Sequence, residues 1–155
     1  MSEQSKIKMK LVPEDDYMHP LEDAENFNES MYFNVFDRAR KIGGWFRLAN
    51  RPTEGRGEMS CCVYLPDGRI GFMFRRPERH DNDAFDGGGM TFTVVEPHKR
   101  LSLAYRGKLC VLANPQEMAD PAEAFKTNAV VEAEIDLDFA GVSPMFGGEP
   151  VKEDG

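Results

Sequence analysis

Nine residues near the C-terminal end constrain the fold most. Val131-Glu132-Ala133-Glu134-Ile135-Asp136-Leu137-Asp138-Phe139 alternates apolar and acidic side chains without a break. Side chains that change sides at every residue describe a β-strand with one dry and one wet face. The same period of two recurs from residue 31 onward. Met59, Cys61, Val63 and Leu65 alternate with Ser60, Cys62 and Tyr64. Pro66-Asp67-Gly68 then supplies a turn, Asp-Gly being suited to positive φ in a tight hairpin. Ile70, Phe72 and Phe74 return on one face, with Arg69, Gly71, Met73 and Arg75 on the other, so residues 58–76 read as a hairpin. Further strands are predicted at 30–37, 43–50, 89–96, 99–106 and 108–113, with turn clusters at 51–57, 86–89 and 96–98. About ten residues per strand, with no long helix between strands, predict an all-β antiparallel meander closed into a barrel or folded into a sandwich.

Helix is scarce. Asn114-Pro115-Gln116-Glu117 and Asp120-Pro121-Ala122-Glu123 each place an N-cap residue, a proline at N1 and a glutamate at N3. They predict two short helical turns, at 115–119 and 121–127.

A chain of 155 residues with 41% hydrophobic and 30% charged side chains fits one globular domain with its own core. No run approaches the ~20 apolar residues of a membrane-spanning helix, and MSEQSKIKMK lacks the apolar stretch of a signal peptide. The net charge of −8 argues against binding the phosphate backbone of nucleic acid and against an anionic membrane surface. That charge is unevenly placed: residues 1–30 carry −5, residues 31–108 carry +5 and residues 109–155 carry −8. Residues 1–27 read as an acidic arm. Cys61 and Cys62 are adjacent and Cys110 is far away, so a disulfide framework is excluded and a reducing cytoplasm is expected. His19, His80 and His98 lie at no metal-ligand spacing, so no metal and no cofactor is expected.

Long loops on β scaffolds often carry function, and residues 75–89 join two strands by a longer connection than a hairpin needs. Asp81, Asp83 and Asp86 fail the EF-hand template, because the glycine comes one place late and the twelfth position is Phe92. They can cap turns and pair with Arg75, Arg76 and Arg79. One of them could instead act as a general acid, since burial beside an apolar cavity raises a carboxyl pKa. Trp45 and Arg47 share one face of their strand. The tryptophan ring can pack in the core or stack on a ligand or developing cation. Phosphate loops and nucleophile elbows are missing from the sequence.

Asn28–Asn34, Gly43–Pro52, Asn82–Asp86 and Gly141–Glu149 resemble the lipocalin-like AttH/hydroxyneurosporene synthase group, in a bacterial branch, over roughly residues 28–150. The resemblance implies an up-and-down barrel of calycin type over 28–142, the first of two such domains, with 143–155 as a tail or the start of a linker. Its characterised relatives include carotenoid hydratases and fungal Diels–Alderases. It implies a hydrophobic ligand of isoprenoid, polyketide or fatty-acyl type, with or without an anionic end. On this reading Phe33, Trp45, Phe72, Phe74, Phe92 and Tyr105 are candidate wall residues, and Arg47 or Arg75 meets a polar end. A competing expectation is half of a hydratase or cyclase, with Asp83 protonating an alkene and Trp45 stabilising the cation. A third is a structural domain that packs on a second barrel or on another copy of itself.

Overall fold

The computed structural model describes residues 8–9, 11–145 and 150–151. Ten strands and one helix follow in order: β1 (Lys8–Met9), β2 (Glu29–Asp37), β3 (Ile42–Arg51), β4 (Arg56–Tyr64), β5 (Ile70–Arg75), β6 (Asp86–Gly87), β7 (Met90–Glu96), β8 (Arg100–Leu112), α1 (Pro121–Thr127), β9 (Ala129–Ala140) and β10 (Pro150–Val151). Every pairing is antiparallel. The main sheet runs β2-β3-β4-β5-β8-β7-β6, with β9 on the other edge of β8; β1 and β10 pair separately. The alternating segment forms β9, in register with β8 along its whole length. The 58–76 hairpin forms β4 and β5, closed by Leu65 N–H donating to the Arg69 carbonyl at 2.9 Å, with Gly68 at φ 87°. Asn114 and Asp120 cap a 3-10 turn at Pro115–Ala119 and helix α1, each accepting from a backbone N–H at 3.1 Å.

One strand boundary is corrected. The two strands expected at 99–106 and 108–113 are the single strand β8, because Gly107 stays extended opposite Ala133 and the period of two runs through it. The inner face of the sheet gathers Phe46, Leu48, Met59, Cys61, Met73, Met90, Phe92, Leu103, Tyr105 and Leu109 into one core. Phe33 of β2 lies 4.9 Å from Phe92 and 4.7 Å from Phe139 of β9. The first and last strands of the main sheet therefore face one core, which requires strong curvature. No ladder joins β2 to β9 among the described residues. The opposite face of β3–β5 is covered in part by α1, where Phe125 meets Phe72 at 4.9 Å.

Residues 1–7 and 10 of the acidic arm, and 146–149 and 152–155 of the tail, lie outside the described residues. The rest of the arm is fastened to the sheet. Met18 packs against the main core. On either side of it, Asp16 accepts from the His98 amide at 2.5 Å and His19 bonds Glu29 through both its amide and its ring.

Candidate functional site

Two strands share one edge of β8. β5 pairs with Cys110–Leu112 and β7 with Arg100–Tyr105, so β5 peels away beyond Phe72 and leaves Arg106–Leu109 without a paired strand on that edge. An uncovered strand leaves backbone groups without partners. Here the chain satisfies one of them itself: the Tyr105 hydroxyl donates to the Lys108 carbonyl at 2.7 Å. A Cβ on Gly107 would come within 2.7 Å of that hydroxyl, so glycine is needed at this position. Gly88 and Gly89, at φ 63° and 88°, form the two-residue turn between β6 and β7, as a type I′ hairpin demands. Arg106 N–H donates to the Gly89 carbonyl at 2.8 Å and draws this turn against the open edge.

The result is a cleft of about 600 Å³ lined by Phe74, Arg75, Arg76, Pro77, Gly88, Gly89, Arg106 and Gly107. No acidic side chain is in that lining. Arg106 is bonded at 2.8 Å to both carboxylate oxygens of Asp136. Arg75 and Arg76 form no ion pair or hydrogen bond among the described residues. The Arg76 guanidinium lies 5.1 Å from the Phe74 ring centroid, a cation–π contact that leaves its N–H groups free. Burial pushes the Tyr105 phenol up to about 12, with Cys61 adding to the shift and the charge of Arg75 opposing it. An arginine pair with no carboxylate partner, beside an exposed aromatic ring, can accept an anion that carries an apolar portion.

The candidate residues read from the sequence divide between the two faces of the sheet. Phe74 and Arg75 line this cleft, whereas Tyr105, expected as a ligand-binding wall residue, is 0% exposed and belongs to the inner core. Phe33 and Phe92 fill the inner core against Phe139. Phe72 is 4% exposed and packs under α1. Trp45 lies on the outer face, 6.5 Å from Tyr32. Arg47 is engaged by Glu58 at 3.0 Å, within a network that also holds Arg51 and Arg56.

Asp83 lies elsewhere, in an open cleft of about 560 Å³ formed by the arm and the 80–83 loop. His19 and His80 line it too, and the His19 ring nitrogen Nδ1 sits 3.1 Å from both Glu29 oxygens. Asn82 holds the two walls together, accepting from Asn50 at 3.0 Å and donating to the His19 carbonyl at 2.8 Å. Asp83 and Trp45, joined in the hydratase expectation, line separate clefts. Of the expected loop pairs, Arg79 meets Asp81 at 3.1 Å.

Cys61, Cys62 and Cys110 are free and buried. Burial pushes the Cys61 thiol up to about 12 and Cys62 to about 11, which removes thiolate nucleophiles at neutral pH. Among the described residues no group of three or more His, Cys, Asp or Glu side chains could hold a metal ion. Among the described residues no helix is long and apolar enough to cross a membrane.

Sequence reasoning singled out Arg75 but missed Arg76, Arg106 and Gly107 as partners in one site. The segment Tyr105-Arg106-Gly107-Lys108 resembled a strand boundary. Only the pairing of β8 with two successive strands makes it a cleft wall. In comparison with known proteins, one family model, described as a domain of unknown function (DUF7064), matches residues 12–155. No curated protein and no solved structure matches the chain.

Proposed function

The chain belongs to the DUF7064 family of domains of unknown function, and we propose that it binds a small amphipathic anion in the arginine cleft where β5 gives way to β7. The observation that carries this reading is the unpaired Arg75–Arg76 couple beside Phe74, in a cleft without a carboxylate. Both arginines are exposed, so water rather than a carboxylate meets their N–H groups, and a bound carboxylate or phosphate would replace that water with charge-assisted, bidentate hydrogen bonds. Phe74 is 48% exposed and offers the apolar part of the ligand a surface to cover.

The strong curvature of the sheet supports reading the fold as an open, lipocalin-like barrel. Its inner face is occupied by side chains, Met59, Cys61, Met90 and Tyr105 being 0% exposed. The filled inner face favours, on this reading, a ligand at the strand switch over one in a central cavity. Calorimetric titration with decanoate and with decanol tests the proposal. Decanoate binding and decanol failing to bind is the expected result; equal binding of the two would remove the arginines from the account.

A further inference from the structure

The β2–β3 hairpin carries a second feature that the anion cleft does not use. On its outer face the register places Phe36 beside Gly43 and Tyr64, and Asn34 beside Trp45. Gly43 leaves room for the Phe36 ring to lie across the strand, since a Cβ there would fall 2.6 Å from Phe36 Cδ2. On this face Phe36 is 61% exposed, Tyr32 55% and Tyr64 41%. Tyr32 and Trp45 lie within 21° of parallel and extend this surface away from the tip. Exposed apolar side chains scattered singly are ordinary, but a contiguous aromatic patch at one end of a hairpin marks a contact surface.

The tip itself is basic. Asp37 accepts from the amides of Ala39 and Arg40 at 2.9 and 3.0 Å, which fixes the turn and leaves Arg38, Arg40 and Lys41 exposed. Arg40 pairs with Asp37 at 3.5 Å; Arg38 and Lys41 have no ion pair among the described residues. Asp37 is the one acid between residues 30 and 51, against five arginines and lysines.

We propose that this hairpin docks the protein on an anionic lipid surface. Phe36 and Tyr64 would enter the interface, while Arg38, Arg40 and Lys41 meet the headgroups. Rings with one polar edge suit the boundary between acyl chain and water. The net −8 repels such a surface as a whole, but it resides on the first 30 and last 47 residues. The repulsion therefore favours an approach led by the hairpin. A second copy of the chain, pairing along the free edge of β2, would leave the three tip charges unmet. This inference stands apart from the arginine cleft.

Trp45 is the only tryptophan, so its emission reports on the patch directly. The intact chain is mixed with vesicles of phosphatidylcholine alone, or with an equal share of phosphatidylserine, and followed by sedimentation and fluorescence. The expected result is binding to the mixed vesicles only, with a blue shift, weakening as salt is raised. The triple variant Arg38→Glu, Arg40→Glu, Lys41→Glu should lose at least tenfold in affinity, and Phe36→Ser severalfold. Should Phe36→Ser fail to fold, the triple variant, altered only at exposed turn positions, still decides. No sedimentation with mixed vesicles, or equal binding by the triple variant, would overturn the proposal. So would loss of binding in Arg75→Ala, which would assign headgroup capture to the arginine cleft. A concentration-dependent dimer abolished by Phe36→Ser, without vesicle binding, would assign the patch to self-association.

Discussion

Asn82 offers the sharpest test of how the arm is held. Its side chain is 7% exposed and links three parts of the chain: it accepts from Asn50, donates to the His19 carbonyl, and lies 3.4 Å from Glu29. Asn82→Ala deletes two well-formed hydrogen bonds, each worth about 1 kcal/mol net. The Asn50 amide keeps its second acceptor, the Ala84 carbonyl at 2.9 Å, so the orphaning penalty is limited. The expected loss is about 2 kcal/mol, or roughly 4–8 °C in Tm for a domain of this size. Asn82→Asp is isosteric and keeps the acceptor toward Asn50. It nevertheless replaces a donor by a negative charge 3.4 Å from the Glu29 carboxylate. At an effective dielectric near 20 the repulsion at that distance is of order 5 kcal/mol before either group takes up a proton. At neutral pH the order of stability should therefore be wild type, then Asn82→Ala, then Asn82→Asp. Urea denaturation followed by circular dichroism reads the three directly. Asn82→Asp matching or exceeding Asn82→Ala, or Asn82→Ala within 0.5 kcal/mol of wild type, would refute the reasoning.

Two further predictions concern the buried thiols and the charge network. Cys61, Cys62 and Cys110 are shielded, so a thiol reagent at pH 8 should titrate none rapidly in the native protein and all three after denaturation; a fast native reaction would contradict their burial. At Glu58 burial pushes the carboxyl up, but the Arg47 hydrogen bond and the charges of Arg51, Arg47 and Arg56 outweigh it and hold it below its ordinary 4.5. A carboxyl lowered on folding stabilises above its unfolded pKa, and that contribution is lost as pH falls through the folded value. The Tm advantage of wild type over Glu58→Gln should therefore shrink below about pH 4.5, and a gap unchanged down to pH 3 would count against it.

Local physics made much of this fold legible. The β9 alternation, the Asp67-Gly68 turn and the caps at Asn114 and Asp120 each follow from a few neighbouring residues. What stayed hidden depends on what covers a face. Trp45, Phe72 and Phe74 alternate as regularly as Phe46, Cys61 and Met73, and periodicity cannot rank two faces when the core takes one and α1 covers part of the other. The arm gave no periodic signal because its hold rests on one inserted side chain, Met18, and on side-chain bonds to residues 29, 82 and 98. The cleft itself arises from a topological event, the exchange of β5 for β7 along β8, which no local pattern encodes.

The central claim is that Arg75 and Arg76 hold the charged end of a ligand. Calorimetry of decanoate against wild type and Arg75→Ala/Arg76→Ala tests it most directly. Hydrogen bonds to charged groups contribute about 1.5–3 kcal/mol each, so the double variant should bind at least tenfold to a hundredfold more weakly. Arg38→Ala, on the hairpin outside the cleft, should bind as wild type does. Undiminished decanoate affinity in the double variant would contradict the account.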